Sequence, residues 1–158
     1  IQTALEAVLS KTLSNPQCLS LRDCHAENSL LLPDRTGINS IGVLDFQDAF
    51  ACDPAYDVMS LLMDVRRPFD AHFEAQMLGY YIAQTGVDRD DFLARYHVLG
   101  FQRNFRILGR FEELAHVHGK ANYRVFMPIV RDIVLHTLKH PHLVNVRSLV
   151  LPMIEGIA

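Results

Sequence analysis

Arg22 and Asp23 are followed by Asn28, and Asp45-Phe46 comes 17 residues beyond that asparagine. The spacing R-D-x-x-x-x-N, then a strand ending in D-F, is what a phosphoryl-transfer site needs. Each group has its own physical reason. An Asp beside an acceptor hydroxyl can orient it and take its proton. An Asn five residues on offers a neutral oxygen to a hard cation. A second Asp supplies an anionic oxygen to the same cation. Mg²⁺ prefers such ligands and completes its shell with water and substrate phosphates.

These residues need elements that bring them together. Ser29–Leu32 and Ile41–Leu44 are short apolar runs flanking the turn-rich segment from Pro33 to Ser40, and read as a small β-hairpin. That hairpin would return Asp45 to Asn28. Residues 19–28 show no clean period and read as a loop. Before them, Leu5, Val8, Leu9 and Leu13 recur at helical spacing over Thr3–Leu13, and Asn15-Pro16 is expected to end that helix. Behind the hairpin the chain is helical. Asp53-Pro54 opens a helix to about Val65. Pro68 opens another to about Gln84, stopped by Gly86. Asp88 caps a long one that ends near Gly119, with Asp90 and Asp91 in its first turn. Two more are expected over Asn122–Lys139 and Val146–Ile154. The fold class is α+β and predominantly helical.

The chain has 158 residues, 49% of them hydrophobic and 21% charged, which suits one globular domain or a piece of a larger one. A net charge of −3 excludes the global basic field of a nucleic-acid binder. No run of apolar residues is long enough to span a membrane. Three cysteines without a C-x-x-C read as reduced thiols, and the expected location is cytoplasmic.

Leu21-Arg22-Asp23-Cys24-His25-Ala26-Glu27-Asn28, Leu44-Asp45-Phe46-Gln47-Asp48-Ala49 and Asp53-Pro54-Ala55-Tyr56-Asp57 resemble the core of aminoglycoside phosphotransferase and choline-kinase-like enzymes. These are small-molecule kinases with a protein-kinase-like fold. His25-Ala26-Glu27-Asn28, the Leu44–Ala49 segment and Gln102-Arg103-Asn104 are most similar to the anomeric sugar kinases of cell-wall recycling. Those enzymes phosphorylate N-acetylmuramate and N-acetylglucosamine at the C1 hydroxyl. The resemblance runs from the first helix to about residue 147.

The resemblance implies a site and its cofactors. Asp23 would be the catalytic carboxylate, with Asn28 and Asp45 holding Mg²⁺ and ATP as phosphoryl donor. Asp57 would accept hydrogen bonds from the loop backbone, and Arg22 would help fix the loop. His25, Glu27, Gln47, Asp48 and Arg103 are candidate substrate contacts. The partners implied are a sugar and a nucleotide, with neither nucleic acid nor membrane. Two departures stand out. The family's usual His two residues before the catalytic Asp is Leu21 here. No Gly-rich loop precedes Asp23, and Lys11 is the only lysine in the first 119 residues. Residues 1–158 therefore read as the C-terminal lobe alone, without the nucleotide-binding lobe and inactive by itself. A non-catalytic pseudokinase-like module and an aminoglycoside or choline kinase stay open as alternatives, although a choline cage favours aromatics and the chain has no Trp.

Other residues invite weaker readings. Arg103, Arg106 and Arg110 recur on one helix flank, as a solvated face or, with Gln102 and Asn104, as an anion or sugar contact. His116, His118, His136, His140 and His142 have zinc-like spacings but lack the H-E-x-x-H pattern. Cys24 has no evident partner base and reads as filler.

Overall fold

A computed structural model describes residues 1–13 and 18–154, so the expected helix stop at Asn15-Pro16 lies outside the described residues. Chain order is α1 (Gln2–Thr12), β1 (Cys18–Ser20), β2 (Ser29–Leu31), β3 (Ile41–Val43), β4 (Phe50–Cys52), α2 (Ala55–Leu62), α3 (Ala71–Thr85), α4 (Arg89–Glu112), α5 (Met127–Thr137) and α6 (Val144–Ile154). The chain is helix-dominated, with two small antiparallel sheets. One is the expected hairpin, β2 with β3, pairing Ser29 with Val43 and Leu31 with Ile41.

The other sheet corrects the sequence reading. Leu19 and Ser20 are not loop: the strand Cys18–Ser20 pairs with Phe50–Cys52, Cys18 opposite Cys52. Three residues are too few to carry a period, so only the long-range ladder reveals them. The pairing fixes both ends of the chemistry-bearing segment, with the loop leaving β1 and α2 following β4.

Helix ends follow local chemistry. The Asp53 carboxylate accepts from the Ala55 amide at 2.9 Å and starts α2. That helix stops at Leu62, short of Val65, because Asp64 turns the chain by accepting from the Arg66 amide at 3.1 Å. Asp70, not Pro68, caps α3, accepting from the Phe73 amide at 2.8 Å. Gly86, at φ 68°, ends it in the left-handed conformation that glycine adopts freely. Asp88 caps α4 as expected, accepting from Asp91 at 2.9 Å. That helix closes in a wider π-type turn over Glu113–Val117. The segment read as a helix from Asn122 is a 3₁₀ turn up to Phe126, and α5 begins only at Met127. Pro128 lacks the N–H that an α turn would donate to Arg124, which bars the helix from extending backward.

The long α4 is the spine. One core packs α4, α5 and α6 through Phe101, Leu108, Val130, Val134, Leu143 and Val146, with α1 laid against it. A second packs α2 and α3 on the other side of α4 through Met59, Leu62, Leu78, Phe92 and Tyr96. Gly100 sits where they meet. A Cβ there would lie 2.6 Å from the Met63 sulfur, so a mid-helix glycine lets Met63 seat against the spine.

Candidate active site

The loop leaving β1 is anchored from α2. Asp57, in the first turn of that helix, accepts from the Ser20 hydroxyl at 2.6 Å and from the Leu21 amide at 2.8 Å. A carboxylate is favoured there by the positive end of the helix. Ser20 is fully buried and its oxygen in turn accepts from the Arg22 amide at 3.3 Å. Leu21, the departure from the usual His, thus takes its place through its backbone. Arg22 has φ 69°, and the Asp23 amide donates back to the Leu21 carbonyl at 2.8 Å. A γ-turn of this hand is a strained conformation for a non-glycine residue, held here by its surroundings. It carries Asp23 out of the loop.

Asp23 does not stand free. Its Oδ1 receives Arg103 Nη2 at 3.0 Å, across 80 residues of sequence. Arg103 comes from the middle of α4, its side chain only 11% exposed. It also donates to the Tyr56 hydroxyl at 3.3 Å and sits 5.8 Å from that ring's centre. A guanidinium fixed at two points orients one carboxylate oxygen and leaves the other for a ligand. Arg103, a candidate substrate contact by sequence, is placed to position Asp23.

A single 3₁₀ turn, Ala26–Asn28, folds Asn28 back over the loop. Its Nδ2 donates to the Asp23 carbonyl at 2.9 Å and lies 3.5 Å from Asp45 Oδ2. Its carbonyl accepts from the Leu44 amide at 2.9 Å, which ties the hairpin's return strand to the loop. Asp45 follows β3 at φ 58°, and Gln47 Nε2 donates to its Oδ1. Asn28 and Asp45 therefore meet, and Gln47 joins them. The donor set, one amide oxygen and one carboxylate, suits a hard cation that keeps phosphate and water ligands. Among the described residues no group of three or more His, Cys, Asp or Glu side chains is placed to hold a metal.

Of the remaining candidates, Arg22, Asp48 and Glu27 are engaged in ion pairs. Arg22 pairs with Asp48 at 3.0 Å, at the surface. Glu27 pairs with Arg66 Nε at 3.2 Å. His25 is buried, and its Nδ1 has no partner among the described residues. Cys24 is pushed up to about 11, chiefly by burial and then by the Asp57 charge. A thiol held protonated is a poor nucleophile, in keeping with a filler role.

Beside Asp23 opens a cavity of about 160 Å³, lined by His25, Ser60, Asp64, Arg66, Arg103 and Arg106 and walled by Met63, Val65, Ile107 and Phe111. Sequence reasoning missed Ser60, Asp64 and Arg66. They belong to α2 and the turn after it, and only the Asp64 turn that ends the helix could have signalled them. Gln102 and Asn104 do not line this cavity, and Asn104 is buried against the Gly100 carbonyl at 3.0 Å. Of the zinc-like histidines, His136, His140 and His142 cluster with His97, while His116 and His118 pair with Glu112 and Glu113.

The chain resembles known proteins over this same region. It matches the phosphotransferase enzyme family over residues 1–93. It is 46% identical over 108 residues to an N-acetylmuramate/N-acetylglucosamine kinase of Caulobacter vibrioides, covering 68% of this chain and 30% of that one. Proteins of the same name from Neisseria meningitidis and Pseudomonas aeruginosa are 28% and 27% identical, over 80% and 96% of this chain and 39% and 46% of theirs. The chain thus spans less than half the length of these curated relatives. A match running from α1 through the Asp23 loop and the hairpin into the first turn of α4 makes this chain a member of the phosphotransferase enzyme family.

Proposed function

We propose that this chain is the catalytic, acceptor-binding lobe of an ATP-dependent small-molecule kinase. Its acceptor is a sugar hydroxyl, the anomeric one of N-acetylmuramate or N-acetylglucosamine, as in cell-wall recycling. The observation that carries this reading is the placement of one Arg-oriented carboxylate, Asp23, between a polar, half-open cavity and the Asn28–Asp45 pair. The relatives' names supply the acceptor.

In this reading Asp23 aligns the hydroxyl and receives its proton. The hydroxyl oxygen bonds to the γ-phosphorus while the bond to the β-phosphate oxygen breaks and ADP leaves. Asn28 and Asp45 would hold Mg²⁺, which neutralises charge on the phosphates when bound. Arg103 and Asp57 keep the geometry, so catalysis is positioning and electrostatics. The hold of Asp57 and Ser20 on the loop supplies support where the family's His is replaced by Leu21, which favours a working loop over a degenerate one.

A nucleotide-binding lobe would complete the enzyme. The hairpin supports this, because Leu31 and Ile38 toward its tip and Phe46 next to Asp45 stand largely exposed. A reaction that consumes ATP belongs in the cytoplasm, and no described helix is long and apolar enough to cross a membrane.

Phosphorus NMR tests the proposal. The chain joined to a nucleotide-binding lobe is mixed with Mg-ATP and a panel of sugars. The expected outcome is a sugar 1-phosphate signal that Asp23→Asn abolishes. Silence with every sugar, in a protein that still binds Mg-ATP, overturns the kinase reading in favour of a pseudokinase-like module.

A further inference from the structure

The cavity beside Asp23 carries a positive charge for which the chemistry above has no use. Three guanidinium groups line it, Arg66, Arg103 and Arg106, against two carboxylates, Asp23 and Asp64. Two of the three are engaged. Arg103 holds Asp23 at 3.0 Å, and Arg66 is shared between Glu27 at 3.2 Å and Asp64 at 3.5 Å. Arg110, further along the same flank of α4, pairs with Glu113 at 2.7 Å and does not line the cavity. Arg106 lies one turn beyond Arg103, and among the described residues it has no carboxylate within ion-pair distance. It is also exposed, so a ligand can reach it without any rearrangement. Beside it Ile107 and Phe111 offer an apolar wall of the kind the carbon face of a sugar ring packs against.

A planar guanidinium with no carboxylate partner among the described residues, at the edge of a half-enclosed cavity, matches a carboxylate or a phosphate in geometry and charge. The two acceptors named for the relatives differ in this respect. N-acetylmuramate carries a lactyl carboxylate on its ring, and N-acetylglucosamine is neutral. We propose that Arg106 binds the carboxylate of an acidic acceptor and so makes the chain prefer N-acetylmuramate over N-acetylglucosamine. The inference rests on the sugar-kinase reading and adds the residue that discriminates between the two sugars. The competing use of Arg106, contact with the transferring phosphoryl group, would make no distinction between them.

Parallel NMR titrations with each sugar, on the chain joined to a nucleotide-binding lobe and saturated with Mg-ADP, test this for the wild type, Arg106→Ala and Arg106→Lys. The wild type is expected to bind N-acetylmuramate more tightly, and Arg106→Ala to weaken that sugar about 10-fold, the scale of one charged hydrogen bond at a partly screened site. Affinity for N-acetylglucosamine should move less than about 2-fold, and Arg106→Lys should keep part of the preference as a point charge. Raising the salt should shrink the wild-type preference and leave Arg106→Ala unmoved. Equal binding of both sugars by the wild type, or a preference that survives Arg106→Ala, overturns the inference and leaves the kinase reading intact. Binding of neither sugar overturns the acceptor assignment itself, and the inference with it.

Discussion

Phe101, Val130, Val134 and Leu143, which pack on or against α4, have no exposed surface, whereas Ile38 is 88% exposed, Leu31 74% and Phe46 61% on the hairpin side. Burying a side chain of this kind contributes roughly 1.5–3 kcal/mol. The helical body collects that stabilisation, and the hairpin face forgoes it. An apolar surface left open on the hairpin is what the proposed nucleotide-binding lobe would cover. The two regions also divide the polar work. Around the loop, backbone and side-chain groups are held by specific partners such as Asp57 and Arg103, and one residue sits in a strained γ-turn. The body holds its shape by packing. If the proposed chemistry resides in the loop and stability in the body, a substitution in either should read out on one axis only.

The largest separation is expected at Asp23. With a nucleotide-binding lobe attached, Asp23→Asn should lower turnover by about 10²–10⁴-fold, the usual loss of a positioned acid-base group. Its thermal midpoint should stay within a few degrees, because Asp23 contributes one partly exposed ion pair. A large fall in the midpoint would show that the loop is part of the core, and the division would fail. Phe101→Ala is the converse. Removing a fully buried ring from α4 should cost about 3–5 kcal/mol in urea unfolding. The activity of the fraction that remains folded should be nearly unchanged. Equal losses on both axes would show that the spine and the site are one unit.

The parts of this division legible in the sequence were those encoded locally. Asp23, Asn28 and Asp45 keep a fixed spacing, and the apolar runs around Pro33–Ser40 announced the hairpin that brings them together. Asp88 and Gly86 marked helix ends because their effect acts within one turn. What could not be read was encoded at long range. The Cys18–Ser20 strand exists only because Phe50–Cys52 lies opposite it. Arg103 reads as one of three arginines on a flank until the packing of α2 on α4 sets it against Asp23. His97 carries no zinc-like spacing, and joins His136 and His140 only through the packing of α5 on α4.

That histidine gives a smaller test, confined to the body. Burial, with His140 and His136 beside it, holds the His97 imidazole down at about 4, below its usual 6.5. Between those values the unfolded chain binds a proton that the folded chain does not, so stability rises with pH across the window. The stabilisation is complete above about 6.5 and is lost as the pH falls toward 4, on the order of 3 kcal/mol. His97→Gln should flatten that part of the pH–stability profile, measured by urea unfolding at each pH. The Asp23 loop, remote in sequence and free of this cluster, should show no matching dependence. An unchanged slope in His97→Gln would assign the acid sensitivity to carboxylates instead.

The smallest effect is expected at the hairpin tip. Ile38→Ser replaces a side chain that is 88% exposed and meets no core, so the chain alone should change in stability by less than about 0.5 kcal/mol. The same substitution should matter once a nucleotide-binding lobe is attached. If that lobe rests on this face, Ile38 becomes buried, and its loss should then destabilise the whole by about 1–2 kcal/mol. The informative quantity is the difference between the two measurements. A near-zero cost in both contexts means that nothing covers the tip of the hairpin, and the exposed apolar face must then be explained without a second lobe. A cost already present in the chain alone would mean that the face is packed in solution, and the contrast with the helical body would dissolve.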